Sequence, residues 1–131
     1  MNHGSDLPSV LTELLYGDET AEPLEQTLDR LLAPRFVLRV NGQIYDRSGF
    51  TAHVREIRQI SIGGGKIQVL EQISADNRIA GRYLFRTISG EGKSLSIEAH
   101  LFAKVNDGKL ERLIEVARQV GNDEENFLAD N

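Results

Sequence analysis

The sequence predicts an α+β domain in which helices come first and a curved, mainly antiparallel sheet follows. Leucine-rich stretches at helical spacing occupy the first third of the chain, and strongly alternating stretches fill its second half. Between them there is none of the strand–helix–strand alternation that builds a doubly wound parallel sheet, which leaves helices packed on one face of the sheet.

The first helix is expected over residues 8–16, where Val10, Leu11, Leu14 and Leu15 share a face, with Ser5 or Asp6 as cap and Gly17 as stop. A second helix begins at Glu22 with Pro23 in its first turn, carries Leu24, Leu28, Leu31 and Leu32, and stops at Pro34. Residues 35–40 then alternate, with Phe36, Leu38 and Val40 on one side of a strand. Asn41-Gly42 is a hairpin signal, so Gln43–Tyr45 returns as a short second strand. Asp46 or Ser48 caps a third helix that runs to about Ile60, with Phe50, His53, Val54 and Ile57 in its stripe. Gly63-Gly64-Gly65 ends that helix. The triplet lacks the Lys-Ser/Thr partner of a phosphate loop and follows a helix instead of opening one, so it reads as a linker. Four long strands complete the chain over 67–74, 78–88, 94–105 and 109–120, separated by short turns rich in Asn, Asp, Ser and Gly.

At 131 residues the chain is the size of one domain, expected over 5–120 with flexible ends at 1–4 and 121–131. It has no cysteine, which excludes disulfides, thiol nucleophiles and cysteine-held metals; Met1 to Asp6 carry neither the basic start nor the apolar run of a signal peptide, and no apolar run is long enough for a membrane-spanning helix. A cytoplasmic protein without a membrane partner is expected. Fifteen basic residues scattered among twenty acidic ones, for a net charge of −5, argue against nucleic acid as a partner. The acidic block Asp123, Glu124 and Glu125 reads as a solvated tail. No dinucleotide or nucleotide fingerprint is present, so no cofactor is expected.

The order of elements, together with "RFVLRVNGQIYDRSGFTAHVREIR" at 35–58 and "AHLFAKVNDGKLERLIEV" at 99–116, resembles the nuclear transport factor 2-like superfamily, which includes the SnoaL-like polyketide cyclases, ketosteroid isomerases and limonene epoxide hydrolase. The resemblance implies a cone: three helices packed in a strongly bent sheet, an apolar cavity open at one end, and a homodimer. It does not imply an activity, because isomerases, dehydratases, hydrolases and binders share the scaffold. The positions that match the carboxylic-acid donor, the general base and the tyrosine of the ketosteroid isomerases are Leu101, Val40 and Val10. All three are aliphatic, so a steroid-isomerase mechanism is not expected. The position matching Glu115 in limonene epoxide hydrolase also carries an acid.

Which side chains reach a cavity depends on the last hairpin. If Asn106-Asp107 forms the turn and Gly108 a bulge, Leu101 faces Leu113 and Ala99 faces Glu115, and Glu115 shares a face with Leu101, Ala103, Leu113 and Ala117. A two-residue Asp107-Gly108 turn instead places His100 opposite Glu115. The bulged arrangement is favoured, because it makes a continuous small and aliphatic face with one carboxylate in it. Glu115 is then the candidate acid or base, its pKa raised by apolar surroundings, unless Arg82, Arg112 or Arg118 pairs with it.

His53 is the second candidate for chemistry, predicted to be buried and hydrogen-bonded on the inner face of the third helix. Tyr83, Tyr45, His100, Leu101 and Leu113 are candidate ligand contacts, Tyr83 because it alternates with Phe85 along a cavity wall. Asp46 reads as a helix cap, and Arg39 and Arg118 as exposed. His53, His100 and Glu115 lack metal-ligand spacing, so no metal is expected. The expected ligand is a small hydrophobic or amphipathic molecule. Phe102, Ile114 and Val116 on the opposite face suggest a homodimer formed sheet to sheet.

Overall fold

The computed structural model describes residues 6–121. The expectations for the two chain ends and for the acidic block at 123–125 lie outside the described residues, apart from Gly121, which is exposed.

Three helices, α1 (Leu7–Tyr16), α2 (Leu24–Leu31) and α3 (Arg47–Ile60), are followed or interleaved by six strands: β1 (Leu32–Val40), β2 (Gln43–Tyr45), β3 (Gly64–Ala75), β4 (Arg78–Ile88), β5 (Ser94–Asn106) and β6 (Lys109–Val120). They form one curved mixed sheet in the order β2-β1-β6-β5-β4-β3. Only β1 and β6 are parallel neighbours; every other pair is antiparallel.

The helices form where the leucine stripes predict them. Leu7, Leu11, Leu14 and Leu15 bury one face of α1, and Leu24, Leu28 and Leu31 bury one face of α2. Asp46 caps α3 by accepting a hydrogen bond from the Gly49 N–H at 2.8 Å, which settles the choice between Asp46 and Ser48. Phe50 of α3 meets Phe36 of β1 with ring centroids 4.8 Å apart, tying that helix to the inner face of the sheet. The end of α1 is held from α3: Arg58 donates from Nε to the Leu14 carbonyl and from Nη2 to the Glu13 carbonyl, both at 3.0 Å. These are carbonyls that a helix C-terminus leaves without intrahelical partners. Gly17 permits that approach, since a Cβ there would strike the Glu13 carbonyl oxygen.

Two boundaries differ from expectation. Pro34 does not separate α2 from the sheet, because β1 begins directly at Leu32. Pro34 falls between Leu32 and Val37, where the pairing with β6 is interrupted, so its missing N–H costs no ladder bond. The glycine triplet is only in part a linker, for β3 already starts at Gly64 and pairs Gly65 with Thr87.

The last hairpin follows neither anticipated register. Its turn is the two-residue one: Asn106 pairs with Lys109, and Asp107 and Gly108 take φ values of 52° and 76°. A bulge then follows at once. Val105 pairs with Leu110 but Lys104 pairs with Arg112, which leaves Glu111 as the extra residue. From there Ala103 pairs with Leu113, Leu101 with Glu115 and Ala99 with Ala117. The favoured reading thus placed the inward face correctly and the partners two residues off. Without the bulge, Leu113 and Glu115 would turn to the outer face, because strand side chains alternate.

Candidate active site

A cavity of about 230 Å³ lies between α1, α3 and the inner faces of β1, β4, β5 and β6. Most of its wall is aliphatic or aromatic; the polar groups in it are Tyr16, His53, Thr87 and Glu115. A depression of about 270 Å³ elsewhere, lined by Ile73, Arg78, Phe102 and Arg112 among others, gathers no comparable set of titratable groups.

Glu115 enters from β6, and its backbone is fixed from the β1–β2 turn. Asn41, at φ 49°, donates its own N–H to the Glu115 carbonyl at 2.9 Å. Its side-chain amide donates to the Ala117 carbonyl at 3.0 Å and accepts from the Ala117 N–H at 2.9 Å. Asn41 therefore continues the parallel β1–β6 ladder by one rung after β1 has turned away.

The Glu115 carboxyl makes no hydrogen bond or ion pair with any described residue. Although part of the residue is exposed, burial pushes its pKa up from 4.5 to about 7. The three arginines considered as partners lie on the other side of the sheet. Arg82 donates to Glu71 at 3.1 Å and pairs with Glu98, which Arg118 also reaches at 3.1 Å, while Arg112 is the cross-strand neighbour of Lys104.

Tyr16 is the last residue of α1. Its ring lies on the backbone of Gly65, where any Cβ would collide with it. Its hydroxyl shares a 3.1 Å hydrogen bond with Thr87, the cross-strand partner of Gly65. Burial raises the Tyr16 pKa, the bond to Thr87 opposes that rise, and the charge of Glu115 adds to it. His53 lines the cavity from α3 and stacks on Tyr45 with centroids 5.0 Å apart and planes at 25°. Burial lowers its pKa against the opposing charge of Glu56, so the ring is neutral at pH 7.

Of the residues singled out from the sequence, Glu115, His53 and Leu113 come together in this cavity. Tyr45 adjoins it through His53, and Leu101, only 1% exposed, lies beside Glu115 as its cross-strand partner without lining the space. Two sit elsewhere. Tyr83 is fully buried with its hydroxyl donated to Gln72 Oε1 at 2.6 Å, and burial pushes its pKa to about 12. His100 is exposed on the outer face, opposite Val116 and Arg82, because side chains alternate along β5 and its odd-numbered residues, Ala99 and Leu101 among them, take the inner face. His53 is half-buried and stacked, and its ring makes no hydrogen bond to a described residue, which corrects the expectation that it would. Arg39 is exposed. With His100 across the sheet, no three His, Asp or Glu side chains among the described residues converge as metal ligands would.

The residues that were not anticipated are Tyr16 and Thr87. Thr87 was within reach, since it extends the Tyr83, Phe85 alternation by one step. Tyr16 lies off the leucine stripe of α1, and its placement depends on a glycine floor that no periodicity reveals.

The described helices include none long and apolar enough to cross a membrane. Comparison with known proteins returns no matching family model and no matching curated protein. Solved structures do match. IdmH from Streptomyces antibioticus, a candidate polyketide cyclase, superposes with a TM-score of 0.64 at 18% identity over 87% of this chain and 91% of that one. A candidate isomerase of the SnoaL-like family from Agrobacterium tumefaciens gives 0.64 at 14% identity over 92% and 100%. An NTF2-like protein of unknown function from Exiguobacterium sp. 255-15 gives 0.65 at 18% identity over 84% and 96%. With helices inside a bent six-stranded sheet and these structural neighbours, the chain has the nuclear transport factor 2-like fold.

Proposed function

We propose that this chain is a small-molecule pocket protein whose cavity carries out proton-transfer chemistry without a cofactor, of isomerase, cyclase, dehydratase or hydrolase type. One observation carries the reading: a partly buried carboxyl with no partner among the described residues, its pKa pushed up to about 7 by burial, in an apolar cavity that also holds a Tyr16–Thr87 hydroxyl pair. A group with pKa near the working pH both accepts and donates protons effectively. Glu115 is the acid or base. Tyr16 and Thr87 offer a donor for a ligand oxygen, and neutral His53 presents a ring face and a nitrogen to orient the ligand. The names borne by similar structures, a candidate polyketide cyclase and a candidate isomerase, are compatible with this class and specify nothing finer.

The test is carbon-detected NMR titration of the Glu115 carboxyl, followed by turnover measurements on any molecule that co-purifies and is identified by mass spectrometry. A titration midpoint near 7 and loss of turnover in Glu115→Gln are expected. A midpoint near 4.5, or unchanged turnover in that variant, removes Glu115 from the mechanism.

A second reading, a ligand-binding or dimerisation module without catalysis, is favoured by the outer face of the sheet, where Ile73, Phe102 and Val116 are exposed. Both readings include a homodimer formed through that face.

A further inference from the structure

We infer that the cavity recognises a ligand carrying a protonated nitrogen on an apolar body of about one ring. This rests on the cavity being a ligand site, as proposed above, and not on its being catalytic.

The argument is one of complementarity. No lysine or arginine lines the cavity, and its single ionisable acid has no partner among the described residues. An anionic ligand would find no cationic side chain in the wall and would be repelled by Glu115 whenever that group is ionised. A neutral ligand would leave a buried charge uncompensated whenever Glu115 is ionised, and that is costly. An ammonium supplies the missing partner. The same cavity is lined by Tyr16, Phe50 and Phe85, aromatic side chains of the kind whose ring faces attract a cation. His53, neutral and itself stacked on Tyr45, adds no opposing charge.

Besides Glu115, the cavity wall holds no lysine, arginine, aspartate or second glutamate. Tyr16 comes from α1 and His53 from α3, with Glu56 acting on His53 along the same helix. The wall residues from β1, β4 and β5, and the rest of β6, are apolar except for the Thr87 hydroxyl. A bound cation holds Glu115 ionised, which makes it a base or a countercharge and not an acid.

The probes are phenethylamine, phenethyl alcohol and phenylacetate, which share a body and differ in the charge of the head group. Binding to the intact chain is followed by NMR at about pH 8 and about pH 5.5. The expected order at the higher pH is amine tighter than alcohol by at least about tenfold, with no phenylacetate binding, since one well-desolvated charge pair supplies that much. Only about 3% of the free protein has Glu115 ionised at the lower pH if its pKa is near 7, so amine affinity should fall about 30-fold while alcohol affinity does not. In the amine complex the Glu115 carboxyl resonance should titrate well below its midpoint in the free protein. Glu115→Gln should keep alcohol binding and lose the preference for the amine, with any residual pH dependence belonging to His53.

Alcohol binding as tight as amine binding at about pH 8 would overturn the ligand class and leave the cavity reading standing. Retention of the amine preference in Glu115→Gln would also overturn it, because the selecting group would then lie elsewhere. Absence of binding by all three probes, with an unmoved Glu115 resonance, would remove the ligand site itself.

Discussion

The Glu115 carboxyl makes the stability of this molecule depend on pH. Glu115 has its pKa raised from 4.5 to about 7 by burial, so between these values the folded chain keeps a proton that the unfolded chain gives up. Below 4.5 both states are protonated and there is no penalty; stability then falls as pH rises to 7, by about 3 kcal/mol in all. Glu115→Gln should therefore match the parent near pH 4 and exceed it by about 1–3 kcal/mol at pH 8, read from urea midpoints at both pH values. Parallel stability profiles would mean that the carboxyl is solvated. Tyr16 gives a second check. Gly65→Ala drives a methyl into the Tyr16 ring and should cost about 1–3 kcal/mol by overpacking, whereas Tyr16→Phe, which loses only the hydroxyl bond to Thr87, should cost about 1 kcal/mol. Equal, negligible losses in chemical denaturation would show that Tyr16 does not rest on Gly65. At this scale the sequence is legible where a residue's role follows from its own strand or helix. Glu115 and His53 were found by alternation and by the α3 stripe. Tyr16 and the pairing of Tyr83 with Gln72 were not, because they depend on which strand lies beside β4 and how close its backbone comes.

Among the elements, β6 decides whether a site exists, and two local devices set its facing. The bulge at Glu111 turns Leu113, Glu115 and Ala117 inward, and Asn41 then holds the strand at Glu115 and Ala117 through three backbone-directed hydrogen bonds. Asn41→Gly keeps a left-handed backbone accessible and deletes the two side-chain bonds, so it should cost about 1–2 kcal/mol and selectively lower hydrogen-exchange protection of the Ala117 amide. Protection lost uniformly along β6, or nowhere, would contradict that local role. The two-residue turn at Asn41-Gly42 was visible as a dipeptide, because few residues tolerate positive φ, whereas the one at Asp107-Gly108 was the alternative to the favoured bulged turn. The bulge was visible only as a need. Something had to place an aliphatic face and Glu115 on one side, but no residue type marks the unpaired position, so it was assigned to Gly108 instead of Glu111.

At the scale of the whole molecule, the succession of three helical stripes and a run of long alternating segments was enough for the fold, since few architectures cover a bent sheet with helices drawn from one end of the chain. Activity was not legible in the same way, because this scaffold carries many chemistries and the cavity is assembled from segments more than seventy residues apart, such as Tyr16 and Thr87. The helices cover only one side of the sheet. On the other, Ile73, Ala80, Phe102 and Ile114 follow one another across β3, β4, β5 and β6, with Val116 one row away. Ile73, Phe102 and Val116 keep 76%, 59% and 63% of their surfaces exposed. A continuous apolar row on an open sheet is the kind of surface that a second copy covers, and two-fold pairing places Phe102 near the centre of the contact. The chain should therefore be a homodimer at tens of micromolar concentration, burying on the order of 1,200 Å² or more in total. Phe102→Glu sets two like charges near the middle of that contact and should shift the protein to monomers in sedimentation velocity. The same side chain is exposed in the single chain, so the fold should lose no more than about 0.5 kcal/mol. A parent protein that already sediments as a monomer would refute the interface, and a Phe102→Glu variant that stays dimeric with unchanged affinity would move it to another face.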